Sequence, residues 1–383
     1  MSVTSAKGFR AAGIAAGIKA SGNPDLALVV NDGPLHAAAG VFTSNRVKAA
    51  PVQWSEQVLK GGTVAAVVLN SGGANACTGP AGFQDTHKTA EETADLLSTS
   101  AAEIAVCSTG LIGVRLPMDA LLSGLKTASA ALSADGGPSA ATAIMTTDTV
   151  AKTAEARGTG YVVGGMAKGA GMLAPGLATM LVVVTTDAVV EPAALHTVLR
   201  HAARVTFDRV DSDGCMSTND TVLLLASGAS EVTPDLAEFQ AAVTDVCADL
   251  ARQLVGDAEG ATKDIAVEVV NALTEDDAVQ VAKAVTRSNL FKCAMYGNDP
   301  NWGRVLSAVG TTGAEFEPDR LSVAINGVWV CRDGGVGDDR DLVDLTGREV
   351  RVTVDLAAGG ASATVWTNDL TPGYVHENSA YSS

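Results

Sequence analysis

The side chains of this 383-residue sequence that invite chemistry are few, and most familiar engines are missing. Five histidines occur, His36, His87, His196, His201 and His376, and none stands beside a Ser or Cys in a nucleophile-elbow pattern such as GxSxG, so a Ser-His-Asp device is poorly supported. There is no GxxxxGK(S/T) loop, and "GTGYVVGG" (158–165) runs into a β-forming stretch where a dinucleotide fingerprint follows one. "DSDGCMSTND" (211–220) opens like a calcium loop but lacks its spacing and closing Glu, and reads as a turn.

One segment holds more. "GGMAKGAGMLAPGLATMLVVVTTDA" (164–188) gathers Gly, Ala, Met and Pro into a long apolar turn and enters a strongly β-forming run at Thr179. It reads either as a buried turn before a core strand or as a site of self-cleavage. In the second reading the small residues let the backbone approach closely, and the Thr179 hydroxyl attacks the carbonyl of Ala178. Hydrolysis of the resulting ester leaves Thr179 as a new N-terminus. Such a Thr brings its own base, because a free α-amino group with a pKa of about 7.7–8.0 is substantially unprotonated near neutrality and can take the hydroxyl proton. That chemistry is acyl transfer without histidine.

The elements that must hold such a site are those of an α/β protein. Strands are expected from the β-branched runs at 63–70, 103–109, 161–167, 179–188, 221–228, 265–272, 321–330, 349–356 and 362–369, and helices at 84–99, 117–132, 191–204, 235–256 and 275–289. Strands apolar on both faces point to stacked β-sheets lying between helical layers, a layered sandwich. With 47% hydrophobic and 18% charged residues the chain has ample material for such a core. A formal net charge of −17 argues against nucleic acid and anionic membranes as partners, since both are gripped through cationic side chains. Cys77, Cys107, Cys215, Cys247, Cys293 and Cys331 form no CxxC pair and have no His at ligand spacing, so no metal site is expected and they read as buried free thiols of a reducing compartment. No apolar run approaches a membrane span, and the stretch after Lys7 and Arg10 is a poor signal peptide, which places the chain in the cytoplasm.

The segment "KGAGMLAPGLATMLVVVTTDA" resembles the autocleavage segment of the ornithine acetyltransferase (glutamate N-acetyltransferase) family of arginine biosynthesis, in which the chain splits before the Thr. The likeness runs in order through "LNSGGANACTG" (69–79), "CSTGLIG" (107–113), "TTDT" (146–149), "DSDGCMSTNDTVLLL" (211–225), "NDPNWGRVLSAVG" (298–310) and "YVHENSAYSS" (374–383), and departs at Ala170, where Ser is frequent, and at Gly176, where Asn is frequent. It implies a fold of the N-terminal-nucleophile kind, an α chain of residues 1–178 and a β chain of residues 179–383, two of each in a heterotetramer.

The resemblance also implies roles. Thr179 is the nucleophile, and Thr109 with Gly110 forms the oxyanion hole, one through its hydroxyl and the other through its backbone N–H. Thr147, Lys168, Thr179, Glu259, Asn378 and Ser383 bind substrate, Lys168 as ion-pair partner of a carboxylate and Glu259 as partner of the ornithine ammonium. Asn378 and Ser383 sit in a terminal stretch where disorder is the ordinary expectation. The implied reaction carries an acetyl group from N-acetylornithine to glutamate by double displacement, with no metal or organic cofactor and with acetyl-coenzyme A as an alternative donor. Two other readings fit the same residues: a Thr-dependent aminopeptidase or amidase of related fold, and an uncut small-molecule binding protein.

Overall fold

The computed structural model describes residues 2–172 and 180–380. The chain divides into two compact units, residues 1–208 with 215–254, and residues 209–214 with 255–383. In chain order the first contains β1 (Phe9–Ile14), β2 (Leu26–Asn31), β3 (Ala37–Phe42), α1 (Ala50–Val58), β4 (Ala66–Asn70), α2 (Gly79–Leu97), β5 (Ile104–Ser108), α3 (Met118–Ala130) and α4 (Gly137–Ala143). It continues with β6 (Lys152–Gly158), β7 (Tyr161–Lys168), β8 (Leu181–Thr186), α5 (Pro192–Val205), β9 (Thr221–Ala226) and α6 (Leu236–Gly256).

Two sheets result, with strand orders β1-β2-β4-β5 and β3-β9-β8-β7-β6. β2, β4, β8 and β9 are buried along their whole length, because both faces of each are covered. Alternate side chains sort to opposite faces. Val29, Val67, Leu69 and Ala105 of the first sheet share a core with Met166, Leu181, Val183 and Leu223 of the second. The opposite face of the first sheet, through Leu28, Val68, Ile104 and Val106, packs on Ala90 and Ala94 of α2 and Leu121 and Leu125 of α3. On the second sheet α5 lies against β3, and Phe239 of α6 meets the Tyr161 ring of β7 at 5.8 Å between centroids. The unit is therefore helix, sheet, sheet, helix, the layered sandwich that two-faced apolar strands require.

The second unit contains β10 (Asp264–Ala272), α7 (Glu275–Thr286), α8 (Asn289–Tyr296), α9 (Trp302–Val309), β11 (Ser322–Ile325), β12 (Val328–Arg332), β13 (Gly335–Val336), β14 (Glu349–Asp355), β15 (Ala361–Asn368) and α10 (Pro372–Ala380). Its sheet runs β13-β12-β11-β14-β10-β15. Here burial alternates along β10 and β14, and helices cover one face, where Val267, Val352 and Val365 meet Val281, Phe291 and Val305.

Several expectations need correcting. The run 321–330 is two strands of a hairpin, turned at Asn326 and Gly327, both at positive φ (47° and 86°), the Asn-Gly pairing that suits a tight right-twisted hairpin. The expected helix 275–289 is two helices: Ser288 accepts a hydrogen bond from the Phe291 N–H and caps a new start. The terminal stretch thought disordered is helical through Ala380. Cys77, Cys215 and Cys293 are exposed, contrary to the buried reading; Cys107, Cys247 and Cys331 are buried, and desolvation pushes the thiols of Cys107 and Cys247 up to about 12. Small neighbours in sequence do not say which way a thiol faces. No helix among the described residues is long and apolar enough to cross a membrane.

Candidate active site

β4 and β5 run parallel and end side by side at Asn70 and Ser108. Beyond them the chain turns twice, and these turns build the site. The Thr109 N–H donates to the Asn70 carbonyl (2.9 Å) and the Gly73 N–H to the Thr109 carbonyl (3.0 Å). The side chains lock the same turn: Asn70 Nδ2 donates to the Gly73 carbonyl (2.9 Å), Ser108 Oγ to Asn70 Oδ1 (2.6 Å), and Asn219 Nδ2 to the carbonyls of Ala74 (2.6 Å) and Ser108 (2.8 Å). Gly110 has φ of 131°, and a Cβ there would lie 2.6 Å from the Gly73 nitrogen, so only glycine keeps this turn closed. Thr109 is 3% exposed.

The last residue of β7 reaches the same place. Lys168 is fully buried, and its Nζ donates to Thr109 Oγ1 at 3.4 Å. A buried ammonium demands compensation, and Asp148 supplies it. Asp148 Oδ1 accepts from Lys152 Nζ (2.7 Å) and from the Gly169 N–H (2.6 Å), and Oδ2 accepts from the Thr146 N–H (2.9 Å). Burial pushes the Asp148 carboxyl up, but the charges of Lys168 and Lys152 and these hydrogen bonds outweigh it and hold the group at about 2. Thr147, half-buried, precedes this carboxylate in the chain.

A second buried acid stands at the head of β9. Asp220 Oδ1 accepts from the Met180 N–H at 3.2 Å, while Oδ2 has no hydrogen-bond partner among the described residues. Burial drives this carboxyl well above the usual carboxylate range, against the opposing effects of the Met180 N–H, the Ser217 hydroxyl and the Lys168 charge.

In the second unit Glu259 and Asn378 meet, Asn378 Nδ2 donating to Glu259 Oε2 at 2.9 Å. α10 is seated by Thr371, whose hydroxyl donates to the Gly260 carbonyl at 2.7 Å and accepts from the Tyr374 N–H at 3.0 Å. Glu259 and Tyr374 line a cavity of about 200 Å³ together with Asp213, Arg287, Lys292 and Asn368. Burial lowers the Lys292 ammonium to about 8, against the pull of Asp213, Asp211 and Asp369.

Of the residues expected from the sequence, Thr109, Gly110 and Lys168 come together at the end of β5, with Thr147 adjoining the acid that partners Lys168, and Glu259 and Asn378 come together on the second unit. Ala178, Thr179 and Ser383 lie outside the described residues. Asp148, Asn219 and Asp220 join these residues with no signal in the sequence beyond the motifs "TTDT" and "MSTND" that contain them; a polar residue of ordinary type gives no sign of burial until its neighbours are known.

Residues 10–383 match the ArgJ family. The chain is 72% identical over 383 residues, covering all of both chains, to the arginine biosynthesis bifunctional protein ArgJ of Streptomyces coelicolor, and 67% identical, again over all of both, to that of Thermobifida fusca. A solved ornithine acetyltransferase from Mycobacterium tuberculosis, complexed with ornithine, is 57% identical over 47% of this chain and 96% of its own, with a TM-score of 0.43. Such full-length identity, together with buried Thr109 and Lys168 meeting beside Gly110 on the matching blocks, leaves one assignment: the chain is an enzyme and belongs to the ArgJ family.

Proposed function

We propose that the chain is an acetyltransferase of arginine biosynthesis, acting in the cytoplasm, that moves the acetyl group of N-acetylornithine to glutamate through an ester on Thr179. It matures by cutting its backbone between Ala178 and Thr179, and two copies of each product chain assemble into a heterotetramer. The relatives are described as bifunctional, and the second activity we assign to this chain is acetylation of glutamate from acetyl-coenzyme A.

One observation carries the reading: Lys168 Nζ donates to Thr109 Oγ1 beside Gly110. A hydroxyl that accepts from an ammonium keeps its own hydrogen for a further acceptor and is polarised to give it. With the Gly110 N–H it makes a pair of donors in a dry site, suited to the oxyanion that forms when the Thr179 hydroxyl attacks an acetyl carbonyl. The Thr179 α-amine takes the hydroxyl proton, ornithine leaves, and the glutamate amine repeats the attack in reverse. Burial keeps water from the ester between the two halves. The strands flanking the junction, β7 and β8, pair antiparallel from Val163↔Thr186 to Lys168↔Leu181. Each buried Val or Leu of β8 contributes about 1.5–3 kcal/mol, so the two chains stay joined after the cut.

The test is mass spectrometry of the purified protein. Chains of 178 and 205 residues (383 − 178 = 205) are expected, the longer one gaining a single acetyl group on exposure to N-acetylornithine and losing it to glutamate. An uncut, fully active protein overturns the reading, and release of the acetyl group to water rather than to glutamate favours an amidase.

A further inference from the structure

The loop between β1 and β2, residues 15–25, carries a lysine that the acetyl transfer has not yet used. Asp25, fully buried, gathers this loop: its carboxylate accepts from the N–H groups of Ala16 (2.7 Å), Ile18 (2.6 Å) and Lys19 (2.8 Å). The gathered loop lies against two turns of the site. At the first, the Asp25 carbonyl accepts from the Ser71 N–H at 3.0 Å, and Ile18 packs so closely on Gly72 that a Cβ there would lie 2.4 Å from Ile18 Cγ2. At the second, the half-buried Lys19 ammonium donates to the Pro24 carbonyl (3.0 Å) and to the Met145 carbonyl (2.7 Å), two residues before Thr147. Both partners are carbonyls, so among the described residues the Lys19 charge meets no carboxylate at contact distance, and one of its three donors is unspent. Burial lowers this ammonium from its ordinary value, while Asp25 and Asp148 pull it the other way. Asp25 is already engaged by three N–H groups, and Asp148 also answers Lys152 and Lys168.

We infer that Lys19 is a second cation of the subsite that holds the substrate's α-carboxylate, beside Lys168, and so determines specificity for that group. This rests on the acetyl-transfer reading. N-acetylornithine, ornithine, glutamate and N-acetylglutamate differ at the far end of the side chain but share this carboxylate, so one subsite serves both halves of the reaction. The turn that carries Thr147 is pinned at both ends: Lys19 holds the Met145 carbonyl, and Asp148 accepts from the Gly169 N–H, next to Lys168 in the chain. Thr147 therefore stands between two lysines on a fixed backbone. An ammonium bonded only to neutral carbonyls keeps its charge for an anion, and because the loop already fixes it, little order is lost when the anion arrives.

The experiment uses Lys19→Gln, which keeps a donor for the Met145 carbonyl but not the charge. KM is measured for N-acetylornithine and for its α-amide, a neutral group of nearly the same shape. The KM for the acid should rise about ten-fold, the usual size of one charge-assisted hydrogen bond, and that for the amide should stay within about two-fold. KM for glutamate should rise with that for N-acetylornithine, while kcat stays near the wild-type value. An equal rise for acid and amide overturns the inference, since a loosened turn weakens both alike, and so does an unchanged KM for the acid. If the variant does not fold, wild type decides the matter. N-acetylglutamate, which has the carboxylate and no amine, should slow reductive methylation of Lys19, read by mass, and its α-amide should not; equal rates with the two overturn the pairing. Failure of the underlying reading looks different: wild type would then carry no acetyl group from N-acetylornithine to glutamate.

Discussion

Around Thr109 the polar side chains of Asn70, Ser108, Asn219, Lys168 and Asp148 are all buried and bound to one another or to the turn they enclose. Glu259 and Asn378 make a different kind of contact: a hydrogen bond between a half-buried carboxylate and an exposed amide on a helix with no buried residue. The first arrangement is expensive to assemble and fixed once assembled, as a donor set must be if it is to meet charge that exists only in a transition state. The second can shift at little cost, which suits holding the flexible ammonium end of a substrate. Chemistry and recognition therefore differ in how much each residue's loss should disturb.

The largest effect is expected at Thr179, the proposed nucleophile. Thr179→Ala should abolish both self-cleavage and acetyl transfer, whereas Thr179→Ser, which keeps a hydroxyl and an α-amine, should retain part of each. Gel mobility and a glutamate acetylation assay on the same preparations check both. Substantial transfer by the Ala variant would move the chemistry elsewhere and dissolve the contrast.

Next comes Thr109. Its replacement by Ala should leave N-acetylornithine affinity near the wild-type value but lower the single-turnover acetylation rate by about 10²–10³, the usual cost of one oxyanion donor. The measurement needs protein selected for complete cleavage, because the backbone cut passes through an oxyanion of its own. An unchanged rate returns "CSTGLIG" to a structural turn.

The buried Lys152–Asp148 pair, with Lys168 beside it, tests rigidity rather than rate. Asp148→Asn removes the buried carboxylate that Lys152 Nζ bonds and that acts on Lys168, and breaking such a pair costs about 3–5 kcal/mol, so the thermal midpoint should fall by several degrees. The sign with pH follows from the direction of the shift. Asp148 is held at about 2 in the folded protein, below its ordinary 3.8, so its stabilisation is present above the ordinary value and lost as pH falls toward 2. The gap between wild type and variant should accordingly narrow between about pH 4 and pH 2. A gap constant through that window would mean the loss is one of packing.

The two regions also differ in how far the sequence betrayed them. β8 and β9 were legible because "LVVVTT" and "TVLLLA" are apolar at every position and buried on both faces. Of the site, Thr109, Gly110 and Lys168 were reached through the motifs around them, and the structure adds what composition cannot carry: the φ of Gly110, the burial of Lys168, and Asp148 standing between two lysines. β1, β3 and β6 escaped because "FRAAGI", "AAAGVF" and "KTAEARG" are rich in Ala and Gly, which propensity counts against a strand, and their burial comes from tertiary packing; β2, "LALVVN", is a Leu- and Val-bearing run buried at every position, and was legible by the same rule as β8 and β9. The second unit's hairpin was merged into one strand because its apolar run hid the Asn-Gly turn. Helix α10 escaped because none of its residues is buried, leaving no apolar stripe to read.

The smallest effect is expected at Asn378, and it sharpens the comparison most. Asn378 Nδ2 divides its donors between Glu259 Oε2 (2.9 Å) and the Tyr374 carbonyl one turn back (3.0 Å). Replacing it with Ala removes an exposed hydrogen bond worth about 1 kcal/mol. If the pair only steadies the carboxylate that receives the ornithine ammonium, ground state and transition state lose equally, because that ammonium lies far along the substrate from the reacting carbonyl. KM for N-acetylornithine should then rise about five-fold, the equivalent of 1 kcal/mol, while kcat and the rate of self-cleavage stay unchanged. KM for glutamate, which carries no ammonium on its side chain, should not move. A fall in kcat comparable to that of Thr109→Ala would show that this surface contact takes part in the chemistry, and the division of labour between the two regions would fail.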